Sequence, residues 1–121
     1  MDRRILCVDD EINILKSLEQ ILFKRFEVDT ALGGIEALDM IRKSRPYAVI
    51  VSDMRMPGMT GVDTFKELKR LNIRSLIVIV TGYPDSDLLA ETMKLGPLTI
   101  ILKPFDLSEI QRAVEALVQM T

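Results

Sequence analysis

Asp9 and Asp10, Asp53, Thr81 and Lys103 each close or directly follow an apolar run of the chain. If those runs are neighbouring strands, their polar ends meet. Carboxylates crowded into one pocket repel, and burial drives one or more toward the protonated form unless a cation is supplied. The chain has no histidine, and its single cysteine, Cys7, lies inside an apolar run. The donors are then oxygens alone, which suits a hard ion such as Mg2+ held by a few carboxylates. Lys103 adds an ammonium and Thr81 a hydroxyl. A divalent ion, an ammonium and a hydroxyl facing one another suit a dianionic phosphoryl group. Each residue also has a duller reading. Asp9 or Asp10 caps a helix, Asp53 ends a strand as a turn residue, Thr81 caps the next helix, and Lys103 is a solvated lysine beside Pro104. Separate surface roles leave the shared placement unexplained.

The elements that must position these groups are legible in the periodicity. Residues 4–8, 27–31, 48–52, 76–80 and 98–102 read as strands. Four are near-continuous apolar runs, as expected of strands covered on both faces of a parallel sheet. The second alternates through Phe26, Glu27, Val28, Asp29 and Thr30, the pattern of a half-exposed edge. Five helical segments intervene. Ile14, Leu15, Leu18, Ile21 and Leu22 stripe the first; Ile35, Leu38 and Ile41 the second; Val62, Phe65, Leu68 and Leu71 the third. The fourth, 86–95, is least regular. The last carries Ile110, Ala113, Val114, Leu117 and Val118 and opens on Asp106 three residues before Glu109, close to a capping box. Turn residues fall between elements: Gly33-Gly34, Pro46, Pro57-Gly58, Gly82 with Pro84, Gly96-Pro97 and Pro104. The sum is an α/β fold, (βα)5, a doubly wound five-stranded parallel sheet of expected order 2-1-3-4-5. Ligands in such sheets bind beyond the carboxyl ends of the strands, at the switch point beside strands one and three. Asp53 then ends the central strand, between the Asp9-Asp10 pair and Thr81. An aspartate carboxylate can attack phosphorus to give an acyl phosphate, and Asp53 is the expected nucleophile.

Bulk properties narrow the classes further. A chain of 121 residues is the size of one domain, and 48% hydrophobic with 28% charged is globular usage. The net charge of −2, with both signs scattered, argues against a surface built on phosphate contacts to nucleic acid. The absence of histidine removes histidine triads, histidine-ligated zinc and phosphohistidine within this chain. No apolar run approaches the ~20 residues that cross a bilayer, and no apolar segment follows Met1. A cytoplasmic setting is expected, with Cys7 as a buried inert thiol. Met54, Met56 and Met59 read as adaptable packing rather than ligands.

With these residues in place, the chain resembles the receiver (CheY-like, flavodoxin-like) domains of two-component response regulators. The resemblance covers residues 1–121 and rests on Ile5-Leu6-Cys7-Val8-Asp9-Asp10-Glu11, on Asp53 followed by Met56-Pro57-Gly58-Met59-Thr60-Gly61, on Thr81-Gly82 and on Lys103-Pro104-Phe105. It implies a phosphoacceptor signalling domain, not a turnover enzyme, in which Asp53 takes a phosphoryl group from the phosphohistidine of a sensor histidine kinase or phosphotransfer protein. It implies Mg2+ bound by Asp10, Asp53 and the backbone carbonyl of Arg55, with Asp9 acting through water, and Thr81 and Lys103 on the phosphoryl oxygens. It also implies a cis bond before Pro104 and a shift of the face made by the fourth helix, fifth strand and fifth helix. The partners implied are the kinase and a downstream effector, with no direct nucleic-acid or membrane contact, and the state a monomer or phosphorylation-dependent homodimer.

Departures from the family pattern are specific. Ile100 stands where an aromatic switch residue is usual, so a ring cannot swing in behind the threonine; Tyr83 is the one ring nearby in sequence. Gly82 replaces the usual alanine, and Gly96-Pro97-Leu98-Thr99 lacks the acidic pair often ahead of the fifth strand. Arg55 and Tyr83 either border the phosphoryl group or face solvent. Two rivals stand beside this reading. A haloacid-dehalogenase-like phosphatase also uses a strand-end aspartate with Mg2+, but carries a second aspartate where this chain has Arg55. A phosphorylation-silent interaction domain would keep the fold and lose the chemistry.

Overall fold

In the computed structural model the described residues are 3–43, 46–54, 61–71, 75–82, 90, 94 and 98–120. Five strands, β1 (Arg4–Asp9), β2 (Glu27–Leu32), β3 (Val49–Asp53), β4 (Leu76–Thr81) and β5 (Leu98–Leu102), pair in parallel in the order β2-β1-β3-β4-β5. Helices α1 (Ile12–Leu22), α2 (Gly34–Lys43), α3 (Gly61–Arg70) and the C-terminal α4 (Leu107–Val118) are the helices described. The predicted fourth helix falls, apart from Ala90 and Lys94, outside the described residues.

Strand parity sorts the core into two layers, because successive side chains leave a strand on opposite faces. Ile5, Cys7, Val49, Val51, Val78, Val80 and Ile101 pack with Leu15, Leu18 and Leu22 of α1 and Ile110, Val114 and Val118 of α4. Leu6, Val8, Ile50, Ile77 and Ile79 pack with Ala37, Leu38 and Ile41 of α2 and Leu68 of α3. Both faces of the sheet are thus covered, which is why these strands read as unbroken apolar runs. The edge strand β2 is exposed or half-buried except at Ala31, as its alternation required.

Two expectations need correction. Strands β1, β2, β3 and β4 each run one residue further than the apolar runs, because backbone pairing continues past them: Asp9 pairs with Leu32, Asp53 with Val80 and Thr81 with Leu102. The three polar groups close their strands as the last members of the ladder, at the strand ends where the sequence placed them. In α2, Ile35 is 69% exposed, while Gly34, Ala37, Leu38 and Ile41 are buried. Three-residue steps drift around a helix of 3.6 residues per turn, and Ile35 lies about 100° from Gly34 on the solvent side.

The termini of α4 follow its sequence. Asp106 Oδ1 accepts the Ser108 amide at 3.0 Å, and Glu109 reaches back to accept the Asp106 amide at 3.3 Å. At the amino end of the sheet, Arg4 is buried against the Tyr47 ring, 4.5 Å from its centroid. Asp29 Oδ2 accepts both Arg4 (3.3 Å) and the Tyr47 hydroxyl (2.7 Å). Cys7 is fully buried, and burial, reinforced by the charge of Glu19, pushes its thiol up to about 12. Such a thiol is not a nucleophile at neutral pH.

Candidate phosphoryl-acceptor site

The same parity that builds the core aims the site. Asp9 continues the series Ile5, Cys7; Asp53 continues Val49, Val51; Lys103 follows Ile101. All three therefore leave the sheet toward the layer of α1 and α4. One step beyond the Val8–Ser52 pair of the adjacent strands β1 and β3, Asp9 and Asp53 stand side by side. Strand β1 connects to β2 on one side and neighbours β3 on the other, so this is the switch point of the sheet.

The rim is hydrogen-bonded into shape. The Lys103 amide donates to the Thr81 carbonyl at 2.8 Å, and the Lys103–Pro104 bond is cis. The Gly33 amide donates to the Asp9 carbonyl at 3.0 Å, from a backbone at φ +90 that favours glycine. Ser52 donates its hydroxyl to the Asp53 carbonyl at 3.0 Å. Asp9, Asp53 and Thr81 are buried, Asp10 is exposed, and Lys103 is half-buried.

Lys103 Nζ lies 3.1 Å from Asp9 Oδ2 and 3.3 Å from Asp53 Oδ2. Asp9 Oδ1 accepts the Glu11 amide at 2.9 Å. Burial pushes the Asp9 carboxyl above the usual range, with the Asp53 charge adding to it and the Glu11 amide and Lys103 opposing. For Lys103, burial alone would lower the pKa, but the hydrogen bond and charge of Asp9, joined by Asp53, outweigh it and raise it. Asp9, Asp10 and Asp53 each offer an oxygen, all within 4.8 Å of one another. An octahedral site with metal–oxygen distances of 2.0–2.1 Å places its opposite oxygens about 4.2 Å apart. The donor set fits a hard divalent ion.

A family model described as the response regulator receiver domain matches residues 5–115. The chain belongs to this family. It is 37% identical over 116 residues to sporulation initiation phosphotransferase F of Bacillus subtilis, covering 95% of this chain and 93% of the relative. It is 32% identical over 118 residues to regulatory protein AtoC of Escherichia coli, of whose length it spans only 25%. A CheY-like response regulator receiver domain protein from Methanospirillum hungatei superposes with a TM-score of 0.91 at 26% identity, covering 99% of this chain and 96% of that one. The chain is thus a receiver domain of two-component response regulators with the CheY-like fold.

Within this receiver domain the structure brings Asp9, Asp10, Asp53 and Lys103 together, with Thr81 buried at the same rim. Arg55 and Tyr83 lie outside the described residues. Ile100 is half-buried, opposite Ile79 in the ladder and packed on the α2–α3 core layer. The sequence did not reveal that Lys103 bridges Asp9 as well as Asp53. The signal available was shared strand parity, Ile5-x-Cys7-x-Asp9 beside Ile101-x-Lys103. Nor did it reveal Ser52, a buried hydroxyl on the opposite parity to Asp53, whose only cue was a polar residue in an apolar strand.

Proposed function

We propose that Asp53 is the phosphoryl acceptor of this receiver domain, taking the group from the phosphohistidine of a sensor kinase or phosphotransfer protein. The observation that carries the reading is the convergence of Asp9, Asp10 and Asp53 with an ammonium held between two of them. Asp9, Asp10, Asp53 and the backbone carbonyl of Arg55 would hold Mg2+, which supplies positive charge against the phosphoryl oxygens. The Asp53 carboxylate attacks phosphorus as the phosphorus–nitrogen bond of the donor breaks. The donor imidazole carries a proton on its other ring nitrogen, so the bonding pair returns to the first and leaves neutral histidine on the partner and an acyl phosphate on Asp53. Lys103 turns its ammonium onto a phosphoryl oxygen, and the Thr81 hydroxyl donates to another. Ser52 and the strand ladder hold the Asp53 backbone in place.

Residues 1–121 act in this reading as one receiver domain in the cytoplasm, a signalling module and not a turnover enzyme. No described helix is long and apolar enough to cross a membrane. The partners are the kinase or phosphotransfer protein and an effector that reads the changed face, with no nucleic-acid contact by this domain. The state is a monomer or a dimer formed on phosphorylation. Ile100 makes the family's aromatic switch inoperative, and Tyr83 is the ring left to serve near Thr81.

Phosphoramidate or acetyl phosphate with Mg2+ is expected to add the mass of one phosphoryl group to the intact protein. Asp53→Asn removes the nucleophile and abolishes the gain; Asp10→Ala removes a ligand and lowers it sharply. A gain retained in Asp53→Asn sinks the assignment. Sustained hydrolysis of small phosphoesters would instead favour the dehalogenase-like phosphatase, whose second aspartate is replaced here by Arg55.

A further inference from the structure

We infer that α1 carries a self-complementary stripe through which two copies of this chain pair about a two-fold axis, with their α1 helices antiparallel. The stripe is Ile12, Lys16, Glu19 and Phe23. Steps of four, three and four residues keep these side chains within about 60° of one another around the helix. All four are exposed, and Ile12 (49%) and Phe23 (57%) leave large apolar side chains in water at its two ends. Neither Lys16 nor Glu19 makes an ion pair among the described residues. The order apolar, cation, anion, apolar is symmetric about a point midway between Ser17 and Leu18. An antiparallel copy therefore sets its Phe23 against Ile12 and its Glu19 against Lys16, and the two-fold axis repeats both contacts. A parallel copy sets lysine on lysine and glutamate on glutamate.

The flank beside the stripe is shaped for the apolar ends. A cavity of about 350 Å³ lies between α1 and the edge strand, lined by Glu19, Gln20, Phe23 and Val28. The second copy brings its Ile12 to the level of Phe23, where this cavity receives it. At the other end Leu32, 51% exposed, lies on the same face of β2 as Val28 and level with Asp9 in the ladder, three residues before Ile12. It widens the surface that meets the incoming Phe23. No strand of the described sheet lies beyond β2 to block the approach. The apolar ends supply attraction, and the charges between them fix the direction. The stripe is only about 16 Å long, so the contact is small and the pairing reversible and concentration-dependent. It uses neither metal nor phosphoryl group and stands apart from the function proposed for Asp53.

The test is sedimentation equilibrium of the metal-free, unphosphorylated chain. Wild type is expected to be a monomer at low concentration and to pair with a dissociation constant below about 1 mM. Lys16→Glu and Glu19→Lys, each shown by circular dichroism to be folded, should each weaken pairing at least about fivefold, because each sets like charges at both repeats of the contact. The double variant Lys16→Glu, Glu19→Lys restores opposite charges only in the antiparallel register, and should return to within about twofold of wild type. Phe23→Ser, at an exposed position, should weaken pairing without lowering stability. A wild type that stays monomeric up to about 1 mM overturns the inference and leaves the stripe to a different protein. A dimer indifferent to Phe23→Ser, or a double variant no tighter than the single ones, overturns it as well.

Discussion

Asp9 is a buried carboxylate whose surroundings disfavour its charge. Its carboxyl is pushed above the usual range by burial, with Asp53 adding to the effect. The folded state therefore binds its proton more readily than the unfolded chain does, and stability falls as pH rises from the unfolded aspartate value of about 3.9 through the raised one. Lys103 follows the same sign at a higher pH: its raised pKa means a contribution fully present below the ordinary lysine value, lost only as pH climbs through the raised one. At neutral pH the lysine is charged and the cost lies with Asp9. Asp9→Asn is accordingly expected to raise the thermal midpoint of the metal-free protein at pH 7, with Lys103 still paired to Asp53. The gain should shrink on acidification and reverse when Mg2+ is added, since the variant loses a ligand. A midpoint that is unchanged at pH 7 and indifferent to Mg2+ would show that Asp9 bears no such strain.

Helix phase was readable in the first helix, where 3- and 4-residue steps together fixed it, and misread at Ile35 of the second, where equal steps of three did not. The first helix has Leu15, Leu18, Ile21 and Leu22 in both 3- and 4-residue steps, and all are buried. The second offered Ile35, Leu38 and Ile41 in equal steps of three, and Ala37, too small to weigh in a hydrophobic pattern, is what sets the true face. Ile35→Ser is therefore expected to change unfolding free energy by less than about 0.5 kcal/mol, as an exposed position should. Ile110→Ala in α4, fully buried between the helix and the sheet, should cost about 2–5 kcal/mol. Urea denaturation of the two variants measures both. Asp106→Ala should lower the thermal midpoint and Asp106→Asn restore most of it, because the amide oxygen still accepts from Ser108. The capping box was legible because its members are three residues apart. The Asp9–Lys103 bridge spans 94 residues and becomes visible only once the sheet order is known.

At the scale of the whole molecule the two ends of the sheet divide the work. The carboxyl ends gather charge that burial disfavours, so a ligand that relieves the conflict binds the folded state alone. At a hundredfold excess over its Kd, Mg2+ would stabilise the fold by about 2.7 kcal/mol. The amino ends carry the opposite arrangement, a satisfied network in which Arg4 stacks on Tyr47 and both bond to Asp29. Nothing in the sequence linked these three, which come from β1, β2 and the turn before β3. They meet because parallel strands start together: Glu27 follows Arg4 across the β1–β2 ladder, and the Ala48 amide donates to the Arg4 carbonyl. The network ties the edge strand to the centre of the sheet at the end away from the phosphoryl rim. Tyr47→Phe removes one hydrogen bond and keeps the ring under Arg4, so it should cost about 0.5–1.5 kcal/mol in urea denaturation. Because strands β1 and β3 remain paired from Ile5–Val49 to Val8–Ser52, the rim should not register the loss. Mg2+ affinity and the rate of phosphoryl uptake from phosphoramidate are expected to match wild type. If either changes along with stability, the two ends are mechanically coupled through the central strands, and stability and phosphoryl chemistry are not separable in this sheet.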